Sequence, residues 1–397
     1  MKKIYITEDD MCTTQKLNLA RVQKWFISNE CEMVDNPEVA DHILCMTCNG
    51  WSLLEDISYQ RIRKFSDQYP QKTIVMGCVV DAHPENVKKM WSGPVVGTKS
   101  QETYSFSGIE KLFPDFNKSI SSVPAQSIFR RKEDYRDYNP SKRFINISEG
   151  CAFACSFCTH KPGLGNRRSR PLAEILEQLD GCVKDGVRVV NLMGMETSLW
   201  GIEHGTNFAE LLKEVLSLSD TYEVHVAQFN ASGIDRYFEA LLPSFQNKRV
   251  TDFQAPIQSM SPRILKMMNR KFHGYKVGDF MSAVRALNSR IILRTDLIVG
   301  WPTETPEERY ESLDFAGAYF DEVALYTIEL SPDLPAWKYQ DQAFSPEELK
   351  KIRIDAIGYL ESKFPNLVIH SGQQDDNTMK TVEIKRIKLR QLRESIE

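Results

Sequence analysis

No uninterrupted apolar run in the 397-residue sequence reaches the roughly 18 to 20 residues that a membrane-spanning helix requires, so no membrane partner is expected. The N-terminus lacks the apolar core of a signal peptide. Met1-Lys2-Lys3-Ile4-Tyr5-Ile6-Thr7 turns polar at Glu8, Asp9 and Asp10, which makes the cytoplasm the expected compartment. An excess of one charge is also missing. Fifty basic side chains against fifty-four acidic ones give a net charge of −4, which argues against a chain-wide nucleic-acid footprint and leaves room only for a local basic patch. There is no internal repeat and no low-complexity tract. With 42% hydrophobic residues the chain is too apolar for disorder, and one large core or two are expected.

Against that background the nine cysteines are informative. Disulfides are uncommon in a reducing cytosol, and an odd number cannot pair completely within one chain. Clustered thiols in such a protein more often bind metal or do chemistry, and spacing decides which.

The first stretch alternates strand and helix patterns. Lys3–Thr7, His42–Met46 and Thr73–Gly77 read as strands. Leu17 to Phe26 and Leu54–Phe65 carry helical spacing. This βαβαβ order predicts a small doubly wound parallel sheet within residues 1–125. Periodicity fades from about Glu102 to Tyr138, and residues 126–140 read as a linker. A second series follows over 141–345. Strands are expected at Phe144-Ile145-Asn146-Ile147, Val187–Leu192, Glu223–Ala227, Val250–Gln254, Ile291–Val299 and Glu322–Thr327. Helical patterns lie between them, among them Leu172–Val183, Phe208–Leu218, Ile234–Leu242 and Pro306–Phe320. Six βα units are too few for an eightfold barrel, so the α/β fold predicted here ends in a partial (βα)6 barrel. Residues 346–397 hold a helix near Ser345–Phe364, a polar stretch and a basic tail.

Cys151-Ala-Phe-Ala-Cys155-Ser-Phe-Cys158 is the strongest chemical signal. Three thiols within eight residues, directly after a strand, can converge from one loop on an iron–sulfur cluster. Four irons need four outward ligands, so three cysteines leave one iron open for a small molecule, the mark of a reactive site. A zinc site is the competing reading, with His160 as a fourth ligand close in sequence.

CxxxCxxC after the first strand of a βα series, with Phe157 before the last cysteine, resembles the radical S-adenosylmethionine enzymes. The resemblance implies that the open iron holds the methionine moiety of S-adenosylmethionine and that reductive cleavage yields a 5′-deoxyadenosyl radical. Ile147-Ser148-Glu149-Gly150-Cys151, Asn166-Arg167-Arg168-Ser169-Arg170-Pro171, Ala40-Asp41 through Thr47-Cys48, Gly77-Cys78 and Thr295-Asp296 through Thr305 resemble the methylthiotransferase branch, in the family's order, over about residues 1–345. That resemblance implies a second 4Fe–4S cluster on Cys12, Cys48 and Cys78. Each of these follows the end of a predicted strand, and in an open parallel sheet such ends line one crevice where ligands collect. Cys31 and Cys182, within helical patterns, read as core thiols. Cys45 is ambiguous, although strand alternation points it away from Cys48.

The resemblance also implies a set of contacts to S-adenosylmethionine. Phe157 lies in the cluster loop. Gly194, Met195 and Glu196 follow a strand, at the family's contact to the methionine amino group. Gln258 and Ser259 match the segment near the ribose, and Gly300 lets a backbone approach an adenine. Arg294 and Asp296 share one strand face, which suits a polar lumen. Arg168 and Arg170 could meet the cofactor carboxylate through the planar guanidinium fork. The family's Pro-Gly-Glu-Thr reads Pro302-Thr303-Glu304-Thr305 here, so a glycine is lost and the loop geometry is open to change.

The expected function is methylthio insertion, turning an unactivated C–H into C–S–CH3. It would use two 4Fe–4S clusters and S-adenosyl-L-methionine as methyl donor and radical source. An external donor of flavodoxin or ferredoxin type and a sulfur source are implied partners. Relatives continue into a small β-barrel that grips tRNA or a ribosomal protein, and residues 366–397 are too few for one. A peptide, protein or small-molecule substrate is therefore expected ahead of tRNA. The alternatives are a tRNA methylthiotransferase, a radical enzyme that uses its auxiliary cluster only for electron transfer, and a noncatalytic iron–sulfur carrier.

Overall fold

The structure is a computed structural model that describes residues 1–7, 12–50, 52–99, 105–123, 142–371 and the isolated positions 385, 388, 389 and 391. The expected linker at 126–140 and most of the basic tail lie outside the described residues. The chain forms two compact units. One comprises Met1–Ile128, Phe144–Phe153 and Cys158–Gln178, the other Phe129–Arg143, Ala154–Phe157 and Leu179–Glu397.

In the first unit β1 (Lys3–Ile6), α1 (Thr13–Ser28), β2 (Glu32–Met33), β3 (His42–Thr47), α2 (Ser52–Gln68), β4 (Thr73–Gly77), α3 (Cys78–Ala82), α4 (Pro84–Met90) and β5 (Val95–Val96) follow in order. The sheet is parallel throughout, ordered β2-β1-β3-β4-β5. Strand alternation sorts its side chains into two cores. Ile4, Leu44, Met46, Ile74 and Met76 pack under Trp25 and Phe26 of α1. Ile43, Cys45 and Val75 pack with Ile62 and Phe65 of α2 on the opposite face. A continuous apolar run buried on both faces is what a parallel sheet covered by helices requires. Cys45 thereby belongs to an apolar core, where burial pushes its thiol up to about 12.

Cys31 corrects one expectation. Helix α1 ends at Ser28, Glu30 takes the left-handed conformation, and Cys31 lies in the turn that follows, buried in the core but outside the helix. The two-residue strands β2 and β5 carry too short a pattern to be read from sequence.

The same unit contains β6 (Lys142–Glu149), the short α5 (Lys161–Leu164) and β7 (Arg168–Ser169), which pairs antiparallel with β6; α6 (Leu172–Lys184) follows. The polar start of α1 is buried here. Asn146 Nδ2 donates to Asn18 Oδ1 at 3.5 Å, and Arg21 lies 3.9 Å from the Glu174 carboxylate.

The second unit runs β8 (Val189–Gly194), α7 (Phe208–Leu218), β9 (Glu223–Val226), α8 (Ala231–Phe245), β10 (Val250–Gln254), α9 (Pro262–Met267), α10 (Gly274–Leu287), β11 (Ile292–Val299), α11 (Pro306–Tyr319), β12 (Glu322–Thr327), α12 (Pro346–Lys363) and β13 (Val368–Ser371). Strands β8 to β13 are parallel and adjacent in chain order. Unlike the first sheet, this one never reverses direction of growth, which is how a (βα) barrel is wound. The α/β class and the partial barrel are as expected. Strand β13 is an addition, formed where only a polar stretch is expected after the last helix.

Local sequence sets the helix starts. Thr305-Pro-Glu-Glu308 and Ser345-Pro-Glu-Glu348 each close a capping box, which puts proline at the first helical position and glutamate at the third. In the turn between β11 and α11 a threonine stands where the family's motif has glycine. Thr303 occupies the left-handed region at φ +67°, a costly place for a β-branched residue. Arg263 holds it there, donating to Thr303 Oγ1 at 2.8 Å and to its carbonyl at 2.7 Å while its Nε bonds Glu308 at 2.8 Å.

Thr303→Gly is therefore expected to stabilise the folded protein by about 1 kcal/mol, since the strain is relieved while the Arg263 bond to the carbonyl survives. Chemical denaturation of the two proteins side by side measures it. Equal or lower stability of the glycine variant would contradict the assigned strain.

Candidate metal and cofactor centre

Cys12 caps α1, Cys48 follows β3, and Cys78 follows β4 as the first residue of α3. Parallel strands β1, β3 and β4 end on one edge of their sheet, and the three thiols lie close enough there to perturb one another. Cys12 donates to Cys48, which with burial raises the Cys12 thiol well above its usual range. Cys48 is lowered chiefly because it accepts that bond, with His160 assisting and burial opposing. The Cys78 thiol is raised by burial and by the neighbouring Cys48. All nine cysteines of the chain are thiols rather than disulfide halves.

The backbone around the trio is tightly fixed. The Cys48 N–H donates to Ser58 Oγ at 2.9 Å, and that hydroxyl bonds back to the Cys48 carbonyl at 3.2 Å. Gly77 has φ +119°, and a Cβ there would lie 2.1 Å from the Thr47 carbonyl oxygen. Only glycine permits this approach of β4 to the residue before Cys48.

The outgoing arm of the Cys151–Cys158 loop folds onto the same edge. Asn49 Nδ2 donates to the Thr159 carbonyl at 2.7 Å, and Thr159 Oγ1 donates to the Gly50 carbonyl at 2.6 Å. A Cβ added at Gly50 would sit 3.5 Å from Cys48 Sγ and 3.6 Å from His160 Nε2, so the bare glycine keeps a cradle between them. His160 is thus a neighbour of Cys48, and burial lowers the basicity of its imidazole while Cys48 opposes that shift. Among the described residues no three His, Cys, Asp or Glu side chains close around a single metal ion.

Cys151, Cys155 and Cys158 are half-buried. The Cys151 N–H donates to the Gly165 carbonyl at 3.4 Å. In the second unit the segment 154–156 is clamped by the end of α9 and the turn after it. Ser156 N–H donates to the Met268 carbonyl at 3.0 Å, Ser156 Oγ to the Met267 carbonyl at 2.8 Å, and Asn269 Nδ2 to the Ala154 carbonyl at 2.7 Å. Arg270 points a guanidinium nitrogen at Cys155 Sγ, 3.7 Å away. Phe157 packs edge-on against Trp301 with ring centres 6.1 Å apart.

One face of the second sheet is polar across several strands. His225 of β9 lies 3.9 Å from Asp252 of β10, which takes Arg294 Nε at 2.8 Å; Gln254 Nε2 donates to Asp296 at 3.1 Å, and His370 lies 3.0 Å from Glu322. Burial raises the Asp296 carboxyl against the pull of Gln254 and His370. Such a belt of paired groups suits a polar lumen better than a dry core.

The other predicted cofactor contacts fall into two groups. Gly194 ends β8, Met195 is half-buried beyond it, and the buried Glu196 accepts from Leu199 N–H at 3.1 Å and from Ser198 Oγ. Gln258 takes the left-handed conformation and bridges to β11, its N–H donating to the Asp296 carbonyl at 2.8 Å. Several groups are committed within the protein. Ser259 Oγ pairs with Ser312 at 3.3 Å. The Gly300 N–H donates to Glu304 at 2.8 Å, and the side chain approaching that glycine is Leu349 of α12. Arg170 bonds the Asn146 carbonyl and Gln178, and lies 3.5 Å from Glu174. Arg168, half-exposed, lies 3.9 Å from Glu149.

Sequence reasoning missed two buried polar groups. Gln15, three residues past Cys12, is 0% exposed, and neither end of its carboxamide has a partner among the described residues. The Trp301 Nε1–H, also fully buried, lacks one too. Groups of this kind are costly unless something bonds them. An orphaned amide three residues past Cys12 and an orphaned indole whose ring packs on Phe157 fit sites built around bound groups.

Residues 145–316 match the Radical SAM superfamily, and residues 8–96 match a family described as Uncharacterized protein family UPF0004. The ribosomal protein uS12 methylthiotransferase RimO of Clostridium botulinum is 27% identical over 350 residues, 86% of this chain and 78% of that protein. The probable threonylcarbamoyladenosine tRNA methylthiotransferase of Pyrococcus horikoshii is 25% identical over 325 residues, 79% and 73% of the two chains. The tRNA-2-methylthio-N(6)-dimethylallyladenosine synthase of Marinomonas sp. is 26% identical over 346 residues, 82% and 74%. In fold the chain is similar to the radical S-adenosylmethionine methyltransferase TsrM of Kitasatospora setae, with a TM-score of 0.60 at 14% identity over 85% of this chain and 75% of that one. These matches define a radical S-adenosylmethionine enzyme. Within that class the chain belongs to the methylthiotransferase family, which uses S-adenosylmethionine and two 4Fe–4S clusters to insert sulfur as a methylthio group.

Gly77→Ala is expected to destabilise the protein by about 2 kcal/mol or more, because the added carbon meets fixed backbone rather than a flexible side chain. Thermal melting of the two proteins side by side measures it. A variant that melts like the parent would refute the close approach.

Proposed function

We propose that Cys151, Cys155 and Cys158 ligate the cluster that works on S-adenosylmethionine, and that Cys12, Cys48 and Cys78 ligate the auxiliary cluster. The convergence of the Cys12 trio on one sheet edge, with a buried orphaned amide at Gln15 in the same helix start, is the observation that carries this reading. Once bound, the cofactors supply hydrogen abstraction and a methylated sulfur, which together turn C–H into C–S–CH3.

The chain's own residues do the rest. Ser58 and Gly77 fix the approach of Cys48 and Cys78, while Asn49 and Thr159 tie the trio to the arm that carries Cys158. Arg270 sets a positive charge against Cys155 and offsets the negative charge of a thiolate-bound cluster. Gly194, Met195, Glu196, Gln258, Asp296 and Phe157 line the proposed cofactor site. Arg168 is better placed than Arg170 for a carboxylate, because Arg168 is partly exposed and Arg170 is buried. Ser259, Arg294 and Gly300 act by holding neighbouring elements, each through the bonds it makes inside the protein. Residues 1–125 thus carry the sulfur, and residues 141–345 the radical chemistry.

The substrate is proposed to be a protein or peptide side chain, on the ground that the net charge of −4 lacks a footprint for RNA. A tRNA base has equal support from the relatives. Reduced thiols and a low-potential donor set the reaction in the cytoplasm, in keeping with the lack, among the described residues, of any helix long and apolar enough to cross a membrane.

Anaerobic reconstitution is expected to load about eight irons per chain, and Cys48→Ser to halve that. The variant should still form 5′-deoxyadenosine and lose S-adenosylhomocysteine. Modified product should gain roughly 46 Da, on protein or on nucleoside according to the substrate. Four irons in the parent protein, with no S-adenosylhomocysteine, would defeat the assignment.

A further inference from the structure

A cavity of about 310 Å³ opens beside the loop that carries Cys155, and Lys266, Asn269, Arg270, Lys271 and Phe272 are among its lining residues. No lining residue is a carboxylate, although the chain as a whole carries a net charge of −4. Lys266 and Lys271 are exposed, and among the described residues neither makes an ion pair. Arg270 connects this surface to the metal loop. One nitrogen lies 3.7 Å from Cys155 Sγ, another donates to the Pro256 carbonyl at 2.6 Å, and Nε has no partner among the described residues. The residues just before Arg270 clamp the loop itself, through the bonds of Met267, Met268 and Asn269 to Ser156 and Ala154.

We propose that this cationic hollow is the docking surface for the enzyme's electron donor, a small acidic redox protein of the flavodoxin or ferredoxin class. The proposal rests on Cys155 being a cluster ligand, as assigned above. The physical case is one of position and charge. A carboxylate of the partner seated between Lys266 and Lys271 would lie over the Arg270 side chain, whose guanidinium reaches Cys155 Sγ, leaving a single side chain between the partner's surface and a sulfur of the cluster loop. The turn it touches is also rigidly bonded to that loop, so the donor approaches a fixed target. Like-signed lysines on an otherwise acidic protein steer an acidic partner to one place and fix its orientation. The mostly apolar wall formed with Phe272 allows close contact once the charges have met.

The experiment compares two reductants on the reconstituted full chain. Reduced flavodoxin is mixed in stopped flow with the parent protein and with the Lys266→Glu/Lys271→Glu double variant, and cluster bleaching is followed at several salt concentrations. Sodium dithionite, which needs no docking, is run in parallel. Flavodoxin reduction of the double variant is expected to slow by about tenfold or more and to lose its salt dependence, while dithionite reduction stays as in the parent. An unchanged flavodoxin rate overturns the proposal. So does an equal loss with both reductants, which would mean a damaged loop, and so does a loss of tRNA binding with electron transfer intact, which would make the hollow a phosphate site. Failure of dithionite to reduce a cluster in the parent tells instead against the cluster assignment at Cys155, so the two ideas fail separately.

Discussion

Three thiols brought together at the end of a parallel sheet pose an electrostatic problem that only a metal-like positive charge solves well. In a buried setting each thiol resists ionisation, and a second thiolate nearby makes ionisation harder still. The structure reaches a partial answer alone. Cys48 is eased toward the thiolate by the bond from Cys12, at the expense of Cys12 and Cys78, which hold their protons more firmly. In the proposed reading, iron would replace those protons and turn mutual repulsion into shared ligation. Much of the first unit can be understood as preparation for that exchange. A glycine lets β4 close on Thr47, a serine of α2 grips both polar backbone groups of Cys48, and the His160 imidazole arrives from the other cysteine loop.

The second unit meets a related demand differently. Its sheet grows in one direction, so the strands present a continuous face, and polar side chains from β9 to β13 satisfy one another there. Paired groups of this kind keep a lumen polar without leaving isolated charges, a suitable setting for a charged cofactor. The strain at Thr303 is kept by a bidentate arginine from α9, the helix whose end clamps the Cys155 segment. Shape at the mouth of the sheet and order in the metal loop thus share a support.

Much of this was legible in the residues, for physical reasons. Strands β3 and β4 announce themselves because runs buried on both faces must be apolar, and cysteines that directly follow such runs stand at the sheet's binding edge. The CxxxCxxC loop is local, so spacing alone identifies it. What escaped is mostly non-local. His160 reads as a fourth ligand for its own loop, but packing places it against Cys48, more than a hundred positions earlier. The loss of a glycine at Thr303 is visible, whereas its compensation by Arg263 is not. Gln15 looks like an ordinary polar residue of a helix start until Asn18 and Arg21 prove to face inward as well. Helix α10 is obscured by Gly278, which weakens the pattern yet makes room for the Tyr319 ring. Gly300 shows another non-local feature: its φ is +74°, and Leu349 of α12 lies where a Cβ would stand.

The most direct measurement is anomalous scattering at the iron edge from crystals of the anaerobically reconstituted protein. Two separate iron peaks are predicted, one bonded to Cys12, Cys48 and Cys78 and the other to Cys151, Cys155 and Cys158, with the Gln15 amide turned toward the first. A single peak, or a second one bound through Cys45 or any other set of side chains, would contradict the assignment on which the proposed chemistry depends.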